Sequence, residues 1–127
     1  MRVRCVRLFK LSNPGYGEPI DDHPRLRVGE EFVVLSVLVD RSLWGVGLQL
    51  LDRDGDRSWS PAGMFETVST TVPSNWVVQL WPNGSLYLAP EAWLQLGFFE
   101  GYVDGERNGP AAQEILERES AIILDQS

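Results

Sequence analysis

The chain has 127 residues, 43% hydrophobic and 23% charged, with 11 Lys+Arg against 18 Asp+Glu, one cysteine and one histidine. That length supports a single domain with its own core, and thirteen aromatic residues at this apolar fraction exclude low-complexity disorder and collagen-like composition. The net charge of −7 lies wholly in residues 58–127, where Arg107 and Arg118 face nine carboxylates, and only the N-terminal strand is basic, so the clustered cationic surface that phosphate binding demands is not expected.

In chain order, Val3 and Cys5 alternate with Arg2 and Arg4, the period of a half-buried first strand. Asn13-Pro14-Gly15, Gly17, Pro19 and Pro24 then predict a loop without regular structure up to Leu26. Residues 28–39 read as a turn feeding a long central strand, because Val33, Val34, Val37 and Val39 favour extended backbone. Residues 45–51 form the next predicted strand, and Asp54-Gly55 supplies a turn that returns the chain through 57–60 as a hairpin. Pro61 ends that pairing, Ala62 to Met64 fit one tight helical turn, and 65–68 resume an extended pattern. Asn83-Gly84 between the apolar runs 76–81 and 85–88 is the strongest hairpin signal in the chain. Pro90 then opens a short helix through Trp93 and Leu94, ended by Gly97, and a further short turn is expected over 98–102. From Pro110 onward Ala112, Ile115, Leu116, Ile122 and Ile123 share one side of a predicted helix that docks by this stripe. No internal repeat and no linker divides the chain, so one domain over 1–127 is expected, with a barrel-like part at 1–68 and a hairpin plus helical extension at 69–127.

The order of these elements resembles a Src-homology-3-like small β-barrel. The likeness is carried by Leu26-Arg27-Val28-Gly29-Glu30-Glu31-Phe32 leading into the long strand, and by Trp59-Ser60-Pro61-Ala62 followed by Phe65-Glu66-Thr67-Val68. The resemblance implies a mostly-β (α+β) fold: such a barrel with an added β-hairpin and C-terminal helices. Proline-peptide binders of that family carry an early aromatic Ala-Leu-Tyr-Asp-Tyr-type segment, which has no counterpart in residues 1–31. The layout around Val72-Pro73-Ser74-Asn75-Trp76 and Pro90-Glu91-Ala92-Trp93 is also similar to small bacterial immunity proteins, which neutralise a neighbouring toxin.

No constellation with its own chemistry emerges from the spacing. Asp52, Asp54 and Asp56 surround Gly55, but the glycine position and the missing distal acid do not fit a calcium loop, so a solvated turn is expected and no metal. His23 beside Asp21 and Asp22 in a proline-rich loop reads as a surface histidine, Cys5 as a small buried hydrophobe. The glycines precede no helix with a Lys-Ser/Thr pair, so no phosphate loop and no cofactor is expected. Run 32–39 is broken by Ser36 and is too short to span a membrane, and the Arg2, Arg4, Arg7 start is unlike a secretion signal. A soluble, cytoplasmic, non-enzymatic protein is therefore expected, of open oligomeric state and without a nucleic-acid or membrane partner.

The expected function is direct binding of a basic protein partner, most concretely a toxin, by the acidic second half. Glu100, Asp104, Glu106, Glu114 and Glu117 are the expected steering groups, with Trp81, Trp93 and Tyr102 as aromatic anchors and Trp59 and Trp76 assigned to the core. The alternative is an adaptor barrel that takes an extended peptide at a sheet edge or in a groove near Trp44 and Trp59.

Overall fold

The computed structural model describes residues 1–11, 16–40, 45–51, 55–94 and 109–127. Strand β4 (Glu31–Asp40) is the hub of the fold. Its ten residues include four valines, whose branched side chains suit a pleated surface buried on both sides. One edge of β4 pairs with β5 (Gly45–Leu51), and β5 in turn pairs with β6 (Arg57–Pro61). The opposite edge is shared by two partners. Strand β1 (Arg2–Cys5) takes residues 31–33, and β9 (Leu86–Pro90) takes residues 37–39. Strand β7 (Phe65–Ser69) extends the sheet beyond β1, and β8 (Trp76–Leu80) extends it beyond β9. All these pairings are antiparallel.

The register shifts between Val34 and Ser36, so Leu35 is an extra residue on β4. Such a bulge bends the strand where it passes from one partner to the other. Phe32, Val34, Val37, Leu48 and Leu50 join Val3, Cys5, Leu26 and Met64 in one buried cluster, with Trp76, Ala89, Trp93, Leu116 and Ile123. The core thus runs through residues on both sides of position 68.

The predicted turns form for the expected reasons. Gly55 and Gly84 adopt φ of 80° and 90°, conformations that cost a glycine little. Asn83 Oδ1 accepts the Ser85 amide at 2.9 Å, which closes the second hairpin locally. Ala62–Met64 make the expected single 3₁₀ turn between β6 and β7. Pro61 is itself the last residue of β6, tolerated because β6 lies at a sheet edge.

Three expectations are corrected. The segment before Leu26 is not free of regular structure, because β2 (Phe9–Leu11) and β3 (Tyr16–Pro19) form an antiparallel pair. Gly17 makes that approach possible, since a Cβ there would stand 2.5 Å from the Lys10 carbonyl oxygen. The short helix expected to open at Pro90 is a 3₁₀ turn over Glu91–Leu94, and Pro90 is instead the last residue of β9. Helix α1 (Gly109–Asp125) does form and docks by Ile115, Leu116 and Ile123 of the expected stripe with Ser120 between them, but it leaves Ile122 exposed. The expected end at Gly97, the turn over 98–102 and the loop beginning at Asp104 lie outside the described residues.

Helix α1 is tied to the sheet by polar contacts as well. Arg57 Nη2 donates to Ser120 Oγ at 3.3 Å, and Asn75 Nδ2 donates to Glu119 Oε2 at 2.8 Å and to its carbonyl at 3.2 Å. At the helix end Gln126 accepts the Ser74 amide and donates to the Ser74 hydroxyl, each at 2.6 Å. Among the described residues no helix is long and apolar enough to cross a membrane.

Candidate functional site

The expected partner-binding residues separate into three groups. Glu114 and Glu117 are exposed on α1 and Trp81 is 44% exposed at the end of the β8–β9 hairpin. Trp93 is corrected: it is 2% exposed and belongs to the core, because the 3₁₀ turn after β9 folds it back against β8 and β9. Glu100, Tyr102, Asp104 and Glu106 lie outside the described residues, as do Trp44, Asp52 and Asp54. Trp76 is buried as expected, whereas Trp59 is only half-buried.

The helix meets the hairpin at its base, through Ser74 and Asn75, and Trp81 stands at the far end of β8. Five residues of extended chain lie between Asn75 and Trp81, which places them roughly 20 Å apart. Among the described residues no hydrogen bond or ion pair brings Trp81 to the helix carboxylates.

The hairpin itself is the most unusual surface. Within the described sheet β8 pairs only with β9, so its outer backbone edge has no strand partner. Residues 76–81 carry no charge, and the β8–β9 register runs without a bulge. Monomeric proteins commonly protect such an edge with lysine, proline or a bulge, because an open ladder recruits other chains. Here Val78 is 62% exposed and Leu80 68%, on the face opposite Val77, Gln79 and Trp81.

The Trp81 face is rigidly backed. The Trp81 and Tyr87 rings lie 6.1 Å apart at 33°, and Tyr87 meets Trp59 edge-on at 5.9 Å and 80°. Tyr87 opposes Gln79 in the register, so its contact with Trp81 is the diagonal one available to long side chains. Its hydroxyl hydrogen-bonds with Ser36, and Ser36 Oγ donates to Gln49 Oε1 at 2.8 Å in the interior. Burial pushes the Tyr87 phenol up to about 12. Tyr87 therefore remains a neutral, fixed support for an exposed indole.

His23 serves its own loop. Its Nδ1 accepts the amides of Arg25 at 3.0 Å and Leu26 at 3.2 Å, and Asp22 Oδ1 accepts the His23 amide at 3.0 Å. Burial, and then the nearby Arg25 charge, hold its pKa below the ordinary histidine value, with Asp22 opposing them. Cys5 is buried, and that burial raises its thiol pKa. Among the described residues no group of three metal-ligating side chains comes together.

Sequence reasoning named Trp81 but missed Val78 and Leu80. The available signal was the unbroken, uncharged run 76–81, which lacks the polar alternation of a strand with one wet face. No family model, characterised protein or solved structure matches the chain.

Proposed function

We propose that the chain is a non-enzymatic, cytoplasmic binding protein of the immunity type, which neutralises a basic protein toxin by covering it. The observation that carries this reading is the open, uncharged β8 edge with Val78, Leu80 and Trp81 exposed along it. Exposed apolar side chains on both faces of an open strand edge recruit other chains, and a fixed aromatic such as Trp81 is a favoured anchor. The acidic imbalance of residues 58–127, which include this hairpin, supports a basic partner through faster, oriented encounter. The non-enzymatic reading is supported by His23, whose Nδ1 accepts two backbone amides where an acid–base triad would have it donate to a carboxylate. The strand order β6-β5-β4-β1-β7, with a 3₁₀ turn between β6 and β7, supports a Src-homology-3-like barrel to which the hairpin and helix have been added.

Co-expression with a basic domain that is encoded beside this reading frame and arrests growth when expressed alone tests the proposal. The wild-type chain should restore growth. A Val78→Lys, Leu80→Lys double variant should weaken binding by about tenfold or more, since it places positive charge against a basic surface in the centre of the contact. Absence of protection and of binding by the wild-type chain would remove the immunity reading.

The unpaired backbone of β8 also favours a second reading, an adaptor that adds an extended peptide as a further strand. In that case binding persists when the partner is reduced to a short unfolded peptide, and a proline in that peptide disrupts it.

A further inference from the structure

Residues 67–90, which hold the β8–β9 hairpin, contain no charged side chain in a chain of net charge −7. Two copies of an acidic chain repel wherever their carboxylates meet, so a neutral edge is where they can approach. Three strands end the large described sheet: β6, β7 and β8. Strand β7 carries Glu66, and pairing two copies there sets like charges side by side. Strand β6 carries Arg57 and ends at Pro61, which has no amide to donate. Only β8 combines an open ladder, no charge and exposed apolar side chains.

The ladder decides which backbone groups of β8 point outward. Trp81 donates its amide to the Ser85 carbonyl at 2.9 Å, so Trp81, Gln79 and Val77 face β9, and the intervening Leu80 and Val78 turn their N–H and C=O groups away from it. Among the described residues these outward groups have no backbone partner, and the Leu80 carbonyl is met by the side chain of its neighbour, Gln79 Nε2 at 3.2 Å. The Trp76 amide is taken by the Pro73 carbonyl at 3.2 Å.

We propose that two copies of this chain pair antiparallel along β8, about a two-fold axis at Gln79, and so join their sheets. Val78 then lies opposite Leu80 of the second copy, and Leu80 opposite its Val78, each pair exchanging two backbone hydrogen bonds. A register centred on Val78 instead calls on the Trp76 amide, which Pro73 holds. On one face the exposed Val78 and Leu80 side chains of both copies form a single apolar patch, and on the other Trp81 lies opposite Val77 of the second copy. The same edge is the surface assigned above to the toxin, so a toxin competes with the second copy for it. The pairing itself is read from this chain alone and stands whether or not a toxin binds.

One strand pair buries less than the about 1,200–2,000 Å² of a standard interface, so the association is weak. Sedimentation equilibrium of the full chain, from micromolar to near-millimolar concentration, should show the mass rising from monomer toward dimer and no further, because pairing uses up the edge. The Val78→Lys, Leu80→Lys variant, which gathers four ammonium groups at the contact, should stay monomeric. Gln79→Cys should cross-link the dimer on mild oxidation, since residue 79 faces its own copy as a non-hydrogen-bonded pair with Cα atoms about 4.5 Å apart. Val77→Cys, on the same face but four positions out of register with its own copy, should cross-link at least about tenfold more slowly. Gln79 and Val77 are exposed, so these variants fold, and Cys5 is buried and takes no part. Gln79→Glu should weaken dimerisation about fivefold, because like charges meet at the axis. A monomer at every concentration, wild-type dimerisation by Val78→Lys, Leu80→Lys or by Gln79→Glu, or equal cross-linking of the two cysteine variants would overturn the proposal.

Discussion

Protonation of His23 works against the fold. The folded structure holds the imidazole below its ordinary pKa of 6.5, so between that value and the lower folded one the unfolded chain binds the extra proton. The stabilisation is present in full above 6.5 and is lost as the pH falls through that window. Urea unfolding at pH 7.5 and at pH 5 should show the wild type losing stability on acidification, and His23→Gln should flatten that dependence. An equally steep dependence in the variant would assign the loss to the carboxylates instead. At this scale, sequence reading succeeded where the neighbouring residues alone set the role. His23 among prolines and aspartates was readable as a residue of its own loop, because its partners are the amides two and three positions away. Its partial burial was not readable, since the β6 residues beside it stand more than thirty positions along the chain. Trp93 failed for the same reason: nearby acidic residues suggested exposure, but a turn after β9 aims it inward.

At the scale of elements, the β2–β3 pair shows how a glycine-rich and proline-rich stretch can still be ordered. Gly17 lies against Lys10 with no room for a side chain, so Gly17→Ala should force the two strands apart. The expected cost is about 1–3 kcal/mol, the ordinary penalty for overpacking, with faster amide exchange confined to β2 and β3. Retention of wild-type exchange there would show that the strands yield without cost. The hairpin β8–β9 presents the converse case. Val78 and Leu80 are exposed, so the Val78→Lys, Leu80→Lys variant should change the unfolding free energy by no more than about 0.5 kcal/mol per site while altering association. A large stability loss would mean that this face packs against the chain itself.

At the scale of the whole molecule, residues 69–127 complete the core. Strand β9 covers the edge of β4 at residues 37–39, and Leu116 and Ile123 are buried in the same cluster as Val34 and Leu50. A chain ending at residue 68 should therefore lack cooperative unfolding and expose apolar surface, measurable by thermal denaturation and dye binding. In the full chain Leu116→Ala should cost about 2–5 kcal/mol, the range for emptying a buried leucine site. A cooperative, stable fragment would instead show the first part to be a barrel in its own right.

The strands and turns of the large sheet, though not the β2–β3 pair, could be placed from the chain alone, because local rules act on neighbouring residues. Valine-rich runs favour extended backbone, Asp54-Gly55 and Asn83-Gly84 permit reversal, and Pro61 ends a ladder. Charge is likewise a property of position along the chain, so the acidity of residues 58–127 needed no fold to be recognised. Packing over long sequence separations decided the rest. Whether an apolar residue such as Val78 is wet or one such as Trp93 is dry depends on which strand or turn lies across from it, and the periodicity of a single segment carries no record of that neighbour.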